Sequence, residues 1–595
     1  MKRIISIALL TLCFQWAYST VYEVSTLGND VTGNGSVESP WRTIKYAVTK
    51  VPAGQGHSIH LSEGTFEENG QINILTGVNV EGSGIDKTII KAAASFYYHP
   101  ASPGYTPNKF LINLSSTTAT NGNQSLKNFT LDGDNKQVHG GIYVKGRSNV
   151  LLEKVNILRT NFCGIWLWEV KSSAVKDVKL VNCAWGSTAW ASGALMLAYL
   201  ENVEVDGLNV DENDGYGIKT LGSGANKVKY LKIHDSHISV NPNGKWNNGS
   251  APNIAIELWD VALQGCEIFN TYVDNHISLV SSEGAPALMQ SIRVYNNIID
   301  LLTRAKGHGY GIELSMSNVE IDHNYIAGGM YGIAHWSAAI ISNWQIHHNT
   351  FYGLSSFYPG DIIRAQVSGI HNVKLFNNTI EFTGTKTIHF IGLHGGKSDH
   401  VEVKNNLIIN SNMGYSYGVN QLVFMENGAT ISDLQVASNL LDKMPLGKVT
   451  GGVYENNILE GAQIKKTGDR PIPYYIPADG SSLINTGMDV GFPFQGSAPD
   501  IGAYESVITA SLEGQKIIKT MYSFPNPIKS GDVLHINVPH ETGNLSLLDM
   551  RGVTQRMVKV KDNSIQIPTA GLLEGMYLLH YQSLKGSDVS KIRID

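Results

Sequence analysis

Two carboxylates sit where strands usually carry apolar or uncharged residues: Glu257 in "AIELWD" and Glu313 in "GIELSM". The same frame recurs along the chain as "GIYVKG", "GIWLWE", "ALMLAY", "GIKTLG", "HISLVS", "GIAHWS", "IIRAQV" and "TIHFIG". Its second position is always apolar, so period-two alternation turns the third and fifth positions outward. The outward third column then reads Tyr143, Trp166, Met196, Lys219, Glu257, Ser278, Glu313, Ala334, Arg364, His389, and the fifth contributes Trp168, Trp259 and Trp336. Stacked parallel strands lie about 4.8 Å apart, which makes Lys219 and Glu257 neighbours and separates Glu257 from Glu313 by about 10 Å.

Two reactions use such a set. Eliminating a uronic-acid linkage needs a base beside the C5 proton and a positive group that neutralises the carboxylate. Lys219 or a histidine fits the first role. Arg364, Lys219 or a Ca²⁺ held by Glu257 and Glu313 fits the second. Inverting glycoside hydrolysis needs two carboxyls roughly 6.5–9.5 Å apart, close to the Glu257–Glu313 spacing. Indole faces beside polar groups suit sugar rings, which makes Tyr143, Trp166, Trp168, Trp259, Trp336 and His389 the substrate-binding candidates. The competing reading is ordinary charged surface, where a single ion pair contributes little. A non-catalytic, adhesive glycan-binding wall would use the same aromatics.

His276 and His308 stand beside this column and could serve as acid or base. His335 takes an inward position and reads as a core histidine. Asp211, Glu212 and Asp214 in "DENDGYG", like Asp132 and Asp134 in "TLDGDNKQ", read as solvated turns before they read as Ca²⁺ ligands. The sequence holds no Ser-His-Asp set, P-loop or dinucleotide fingerprint.

These residues need a scaffold that repeats. Segments ending in Asn recur at Asn297, Asn324, Asn349, Asn378 and Asn406, spaced 27, 25, 29 and 28 residues apart, and again at Asn457. Between them lie short alternating strands broken by Gly, Asn and Ser, with no helical period. The economical fold is all-β: a right-handed parallel β-helix with one repeat per coil and a stacked Asn at the same turn of each. A β-sandwich competes, but hairpin signals are scarce. "SPWRTIKYAVTKV" predicts a capping helix with Ser39 as N-cap and Pro40 in the first position. Its apolar stripe would be Ile44, Ala47, Val48 and Val51.

"STLGNDVTGNGSVESPWRTIKYAV", with "LINTG" and "PDIGAYE" near residue 500, resembles secreted, pectate-lyase-like right-handed β-helix proteins over residues 21–507. That resemblance implies the fold, while the superfamily spans lyases, hydrolases, epimerases and adhesins. Some of its lyases use a Lys, an Arg and carboxylate-bound calcium with Lys and Arg on adjacent coils; here Lys219 and Arg364 are not adjacent. From residue 508 the pattern changes. "SFPNPIKSGDVLHINV", "LSLLDMRG" and "GLLEGMYLLHYQ", with Pro525, Asn526, Pro527, Gly575, Tyr577 and Lys591, resemble the C-terminal sorting domain of type IX secretion substrates of Bacteroidetes. This implies a β-sandwich of about seven strands, a secretion-machinery partner, and release or attachment at the cell surface.

The remaining bounds agree. At 595 residues the chain exceeds one ordinary domain, and 16% charged residues argues against disorder. A net charge of −6 without a basic run gives no case for nucleic acid. Residues 1–20 read as a secretory signal too short to span a bilayer, and no later stretch is long enough. Cys163, Cys183 and Cys266 would then remain, a set that reads as buried thiols rather than a disulfide framework.

Overall fold

The computed structural model describes residues 19–96, 109–134, 138–184, 192–221, 226–241, 254–281, 291–302, 309–354, 359–383, 386–409, 421–506 (apart from six scattered positions) and most of 522–594. Residues 1–18, most of the proposed signal, fall outside this set, as do His308 and Pro525 to Pro527. Two compact units divide at residues 507 and 508.

Among the described residues, the first unit is one parallel ladder of 39 strands in which strands pair with the equivalent strand one coil on. This is a parallel β-helix. Its first wall runs through Cys163–Trp168, Gly193–Ala198, Tyr216–Thr220, Ile256–Trp259, Ile277–Val280, Tyr310–Ser315, Tyr331–His335, Gly360–Ala365 and Ile388–Leu393. The second wall includes Ile292–Tyr295, Val319–Asp322, Ser342–His347 and His371–Phe376. The third includes Tyr325–Ala327, Thr350–Tyr352, Thr379–Glu381 and Leu407–Ile409. The bore is filled by stacked aliphatics. On the first wall Ile218, Ile256, Ile277, Ile312, Ile333 and Ile363 form one continuous file, each at most 1% exposed. Such burial stabilises by about 1.5–3 kcal/mol per side chain, and this file fixes the register outside it.

Between the second and third walls the chain turns sharply at residues in the left-handed region. Asn296, His323, His348, Asn377, Asn405, Ser438 and Asn456 have φ between 50 and 58°, a conformation that Asn and His tolerate better than branched residues. The following Asn builds the ladder. The Asn324 carboxamide oxygen accepts from the backbone N–H and Nδ2 of Asn297 at 3.0 and 2.9 Å. Asn349, Asn378 and Asn406 repeat the arrangement. Asn439 continues it to Asn457, one rung that the sequence spacing alone did not reveal. Asn349 is fully buried with every polar atom satisfied. Asn349→Ala should therefore lower stability by about 2–3 kcal/mol, since it orphans buried donors and acceptors on both neighbouring coils. Denaturant unfolding of the variant checks this.

The N-terminal helix is Ile44–Lys50, shorter than its sequence pattern, and its N-cap is Thr43 rather than Ser39. Thr43 Oγ1 accepts from the Tyr46 N–H at 3.2 Å. Pro40 is not helical, because Trp41 is drawn into a bridge with Val24. The apolar stripe Ile44, Ala47, Val48 and Val51 is buried as expected.

The segment from Arg470 to Tyr504 turns back along the outside of the coils. Arg470 and Tyr475 bond the Glu381 carboxylate. Asn405 exchanges hydrogen bonds with Met488. Thr379 Oγ1 accepts from Ala503 N, and the Phe492 ring lies 4.1 Å from that of His347. "LINTG" and "PDIGAYE" thus form a belt over several coils.

The second unit holds a three-stranded and a four-stranded antiparallel sheet. Leu534, Ile536, Leu545, Leu547, Leu579, Tyr581 and Ile592 share its core.

Candidate active site

The outward column of the first wall keeps its register from Tyr143 through Trp166, Met196, Lys219, Glu257, Ser278, Glu313 and Ala334 to Arg364. His389 leaves it. It pairs with Asp361, and Gly392 takes the place opposite Arg364.

Lys219 and Glu257 are bonded to each other, with side chains only 6% and 9% exposed. Burial pulls the Lys219 ammonium down to about 7, and the Tyr216 ring lies 4.4 Å from its Nζ. Two rungs on, Ser278 Oγ donates to Glu313 Oε2 at 2.5 Å. Burial raises the Glu313 carboxyl above its usual range, and the Ser278 bond offsets only part of that. Tyr310 stands beside Glu313, tilted against His276 at 4.7 Å and against Trp336 at 5.8 Å. His276 is 2% exposed, so it is packed into this wall rather than standing open at its edge.

A second cluster surrounds Arg364. Its Nη1 donates to Asp361 Oδ2 at 2.8 Å, and its guanidinium faces the rings of Tyr331 and Trp336 at 4.6 and 5.2 Å. His389 and His394 bond the two oxygens of Asp361 at 2.9 and 2.8 Å, and His394 reaches Glu426 on its other side. Burial alone would raise Asp361; the bonds from His389 and His394 instead hold it at about 2. Burial opposes protonation of His394, but Asp361 and Glu426 raise it overall. The Asp361 carboxylate lies over Gly392, where any Cβ would overlap it. Asp361, His394 and Glu426 were not singled out from sequence. Asp361 precedes two consecutive apolar residues and His394 follows its strand, so strict alternation passes over both.

The aromatic column is more closed than alternation implies. Trp166 is fully buried and Tyr143 is 8% exposed. Phe110, Phe162 and Met196 pack over them outside the bore. Neither presents an open ring face to a sugar. Trp168 and Trp336 are half-buried, with indole N–H groups that meet no acceptor among the described residues. Trp259, at 46%, is open. His335 is buried and bonded to Ser315 and Ser368, as a core histidine. Asp132 pairs with Arg159, and Asp134 with Lys91. Cys163, Cys183 and Cys266 are buried free thiols.

Calcium does not fit Glu257 and Glu313. They stand two rungs, about 10 Å, apart, and each turns to its own neighbour, Lys219 or Ser278, so one ion with bonds of about 2.3–2.6 Å does not bridge them. Among the described residues, two other groups have ligand spacing: Asp322, His323 and His347, and Asp206, His234 and Asp235.

Residues 115–299 match the family model described as a right handed beta helix region, and residues 522–595 match the secretion system C-terminal sorting domain. The chain is a right-handed β-helix protein with a type IX sorting domain. That tail makes the β-helix protein a secreted or cell-surface one, and no helix among the described residues is long and apolar enough to cross a membrane. No curated protein matches it. Among solved structures it is similar to the Agl-KA catalytic domain, at 14% identity, covering 65% of this chain and 64% of that one, with a TM-score of 0.37. A pectate lyase is 13% identical over 82% of this chain and 96% of its own, with a TM-score of 0.31. A surface adhesin of Streptococcus pneumoniae is 12% identical over 65% and 88%, with a TM-score of 0.34. The chain therefore spans just under two thirds of the first of these.

Proposed function

We propose that the first wall of this β-helix protein binds an acidic polysaccharide and cleaves it by β-elimination, with Lys219 as the base. The observation that carries this reading is an outward-facing amine, held by burial at about 7 and touching a carboxylate. In a site of low dielectric a buried ion pair is favoured little over its neutral form. Passing the ammonium proton to Glu257 leaves a free amine beside a carboxylic acid. The acid donates a hydrogen bond to the substrate carboxylate, which stabilises the charge that develops when the amine removes the C5 proton. The C4–O bond then breaks, its electron pair leaves with the glycosidic oxygen, which takes up a proton, and a C4–C5 double bond remains. Arg364 lies five rungs from Lys219, about 24 Å. It would meet the carboxylate of a different sugar, with Tyr331 and Trp336 as its platform.

A specific observation favours one rival. The raised carboxyl of Glu313 suits a general acid, with Glu257 two rungs away for an inverting hydrolase. Digestion of pectate, alginate, glycosaminoglycan and ulvan separates the two. Elimination yields an ultraviolet-absorbing unsaturated end that Lys219→Arg abolishes and Glu313→Gln spares. Reducing ends without that absorbance, lost in Glu313→Gln, reject elimination.

A further inference from the structure

We propose that the corner of the second wall at Asp322, His323 and His347 is a binding site for a divalent transition metal such as Zn²⁺. It lies on a different wall from Lys219 and is independent of the polysaccharide reading.

The repeat itself makes the site. Asp322 and His347 are register partners on consecutive coils, and the left-handed residue after each is a histidine, His323 and His348. The motifs "DHN" and "HHN" therefore place four ligand-type side chains at one turn, where the corresponding turns before and after read Tyr295-Asn296 and Phe376-Asn377. One ligand atom each from Asp322, His323 and His347 lies within 4.8 Å of the others. Bonds of about 2.0–2.2 Å at tetrahedral angles put ligand atoms roughly 3.4 Å apart, so side-chain rotations of about an ångström would complete the site.

Three further features suit a cation. His347 Nδ1 and His348 Nδ1 share a hydrogen bond at 2.9 Å, so a further imidazole stands beside the group. His347 Nε2 bonds Glu320 at 3.1 Å, which would fix the ring and leave Nδ1 as the lone-pair nitrogen. Asp322 is held by Arg293 through both oxygens and meets His323 Nδ1 at 2.7 Å, so an ion would enter in place of the proton between Asp322 and His323; Glu320 lies 3.7 Å from the same guanidinium. The two acids outnumber the one guanidinium, so the corner keeps a negative balance. Imidazole nitrogens with one carboxylate select zinc, cobalt, nickel or copper over calcium and magnesium. The Phe492 ring closes over His347, giving the site an apolar lid from the belt.

The test uses the untagged full chain, dialysed against Zn²⁺ and analysed for bound metal, with Co²⁺ as a spectroscopic substitute. One equivalent of Zn²⁺ should remain, and Co²⁺ should give visible bands of a low-coordinate N/O site. His323→Gln, at a half-exposed position that should not disturb folding, should weaken binding at least tenfold, and Asp322→Asn should do the same. Polysaccharide cleavage should be unchanged in His323→Gln. Wild-type chain that retains no zinc overturns the proposal, and so does His323→Gln binding zinc as tightly as wild type.

Discussion

Replacing Lys219 by Met should lower the stability of the coil by about 3–5 kcal/mol, because it leaves the Glu257 carboxylate buried without its cation. The Glu257→Met chain should lose less above about pH 7, since the unpaired amine can shed its proton. The double replacement should be close to neutral, because two well-packed methionines avoid the desolvation that the ion pair only partly recovers. Urea unfolding of the four chains measures the coupling. The sign with pH follows from the direction of the shift. Lys219 is lowered on folding from 10.5 to about 7, so the unfolded chain binds more protons between those values. Its burial penalty is in full force below about 7 and fades as the pH rises toward the unfolded value. The stability gap between wild type and Lys219→Met should therefore widen in favour of wild type as the solution becomes alkaline. A gap that is flat with pH would show that the amine is not desolvated. Activity should fall by about 10²–10⁴-fold in Lys219→Arg, whose guanidinium cannot serve as a base at neutral pH.

Asp361→Asn should collapse the second cluster. One buried carboxylate accepts from Arg364, His389 and His394 at once, and the amide can accept through only one oxygen. A loss of about 3–5 kcal/mol is expected, with Arg364 released from its place between Tyr331 and Trp336. Because Asp361 is depressed to about 2, its contribution is fully present above the unfolded value of 3.8 and disappears as the pH falls through 2. Wild type should accordingly lose this advantage over Asp361→Asn in acid. Gly392→Ala should copy the defect at neutral pH by pushing the carboxylate away. Thermal unfolding against pH checks both, and an Asp361→Asn chain as stable as wild type would remove the cluster from the account.

Much of this wall could be read from the chain because the inward file of isoleucines leaves alternation no freedom. From Tyr143 to Arg364 each outward residue is where its apolar neighbour puts it. His389 broke the pattern because Ile388 and Ile391 are both apolar and both buried, so the frame could be counted from either. The structure counts from Ile391. Trp166 and Tyr143 misled for a different reason. Alternation says which side of a strand a residue faces, but not what lies beyond it, and Phe110 and Phe162, at the start of strands of the same wall, cover that face. Thr43 displaced Ser39 as cap because Trp41 gained more from the sheet than the first turn of helix could offer. Clusters such as Asp361 with its two histidines, or Asp322 with His323, form at strand ends and bends, where no periodicity applies.

In a solenoid each coil touches only its neighbours, so disassembly can run one coil at a time from an open end. The belt changes that arithmetic for the coils carrying His347, Thr379 and Asn405. Their amide protons should exchange with solvent together, with similar protection, rather than in a gradient that decreases toward the last coil. Export places the protein among extracellular proteases, where a frayed terminus is the usual first cut. Tying several turns into one cooperative block would slow that attack without adding a single residue to the interior.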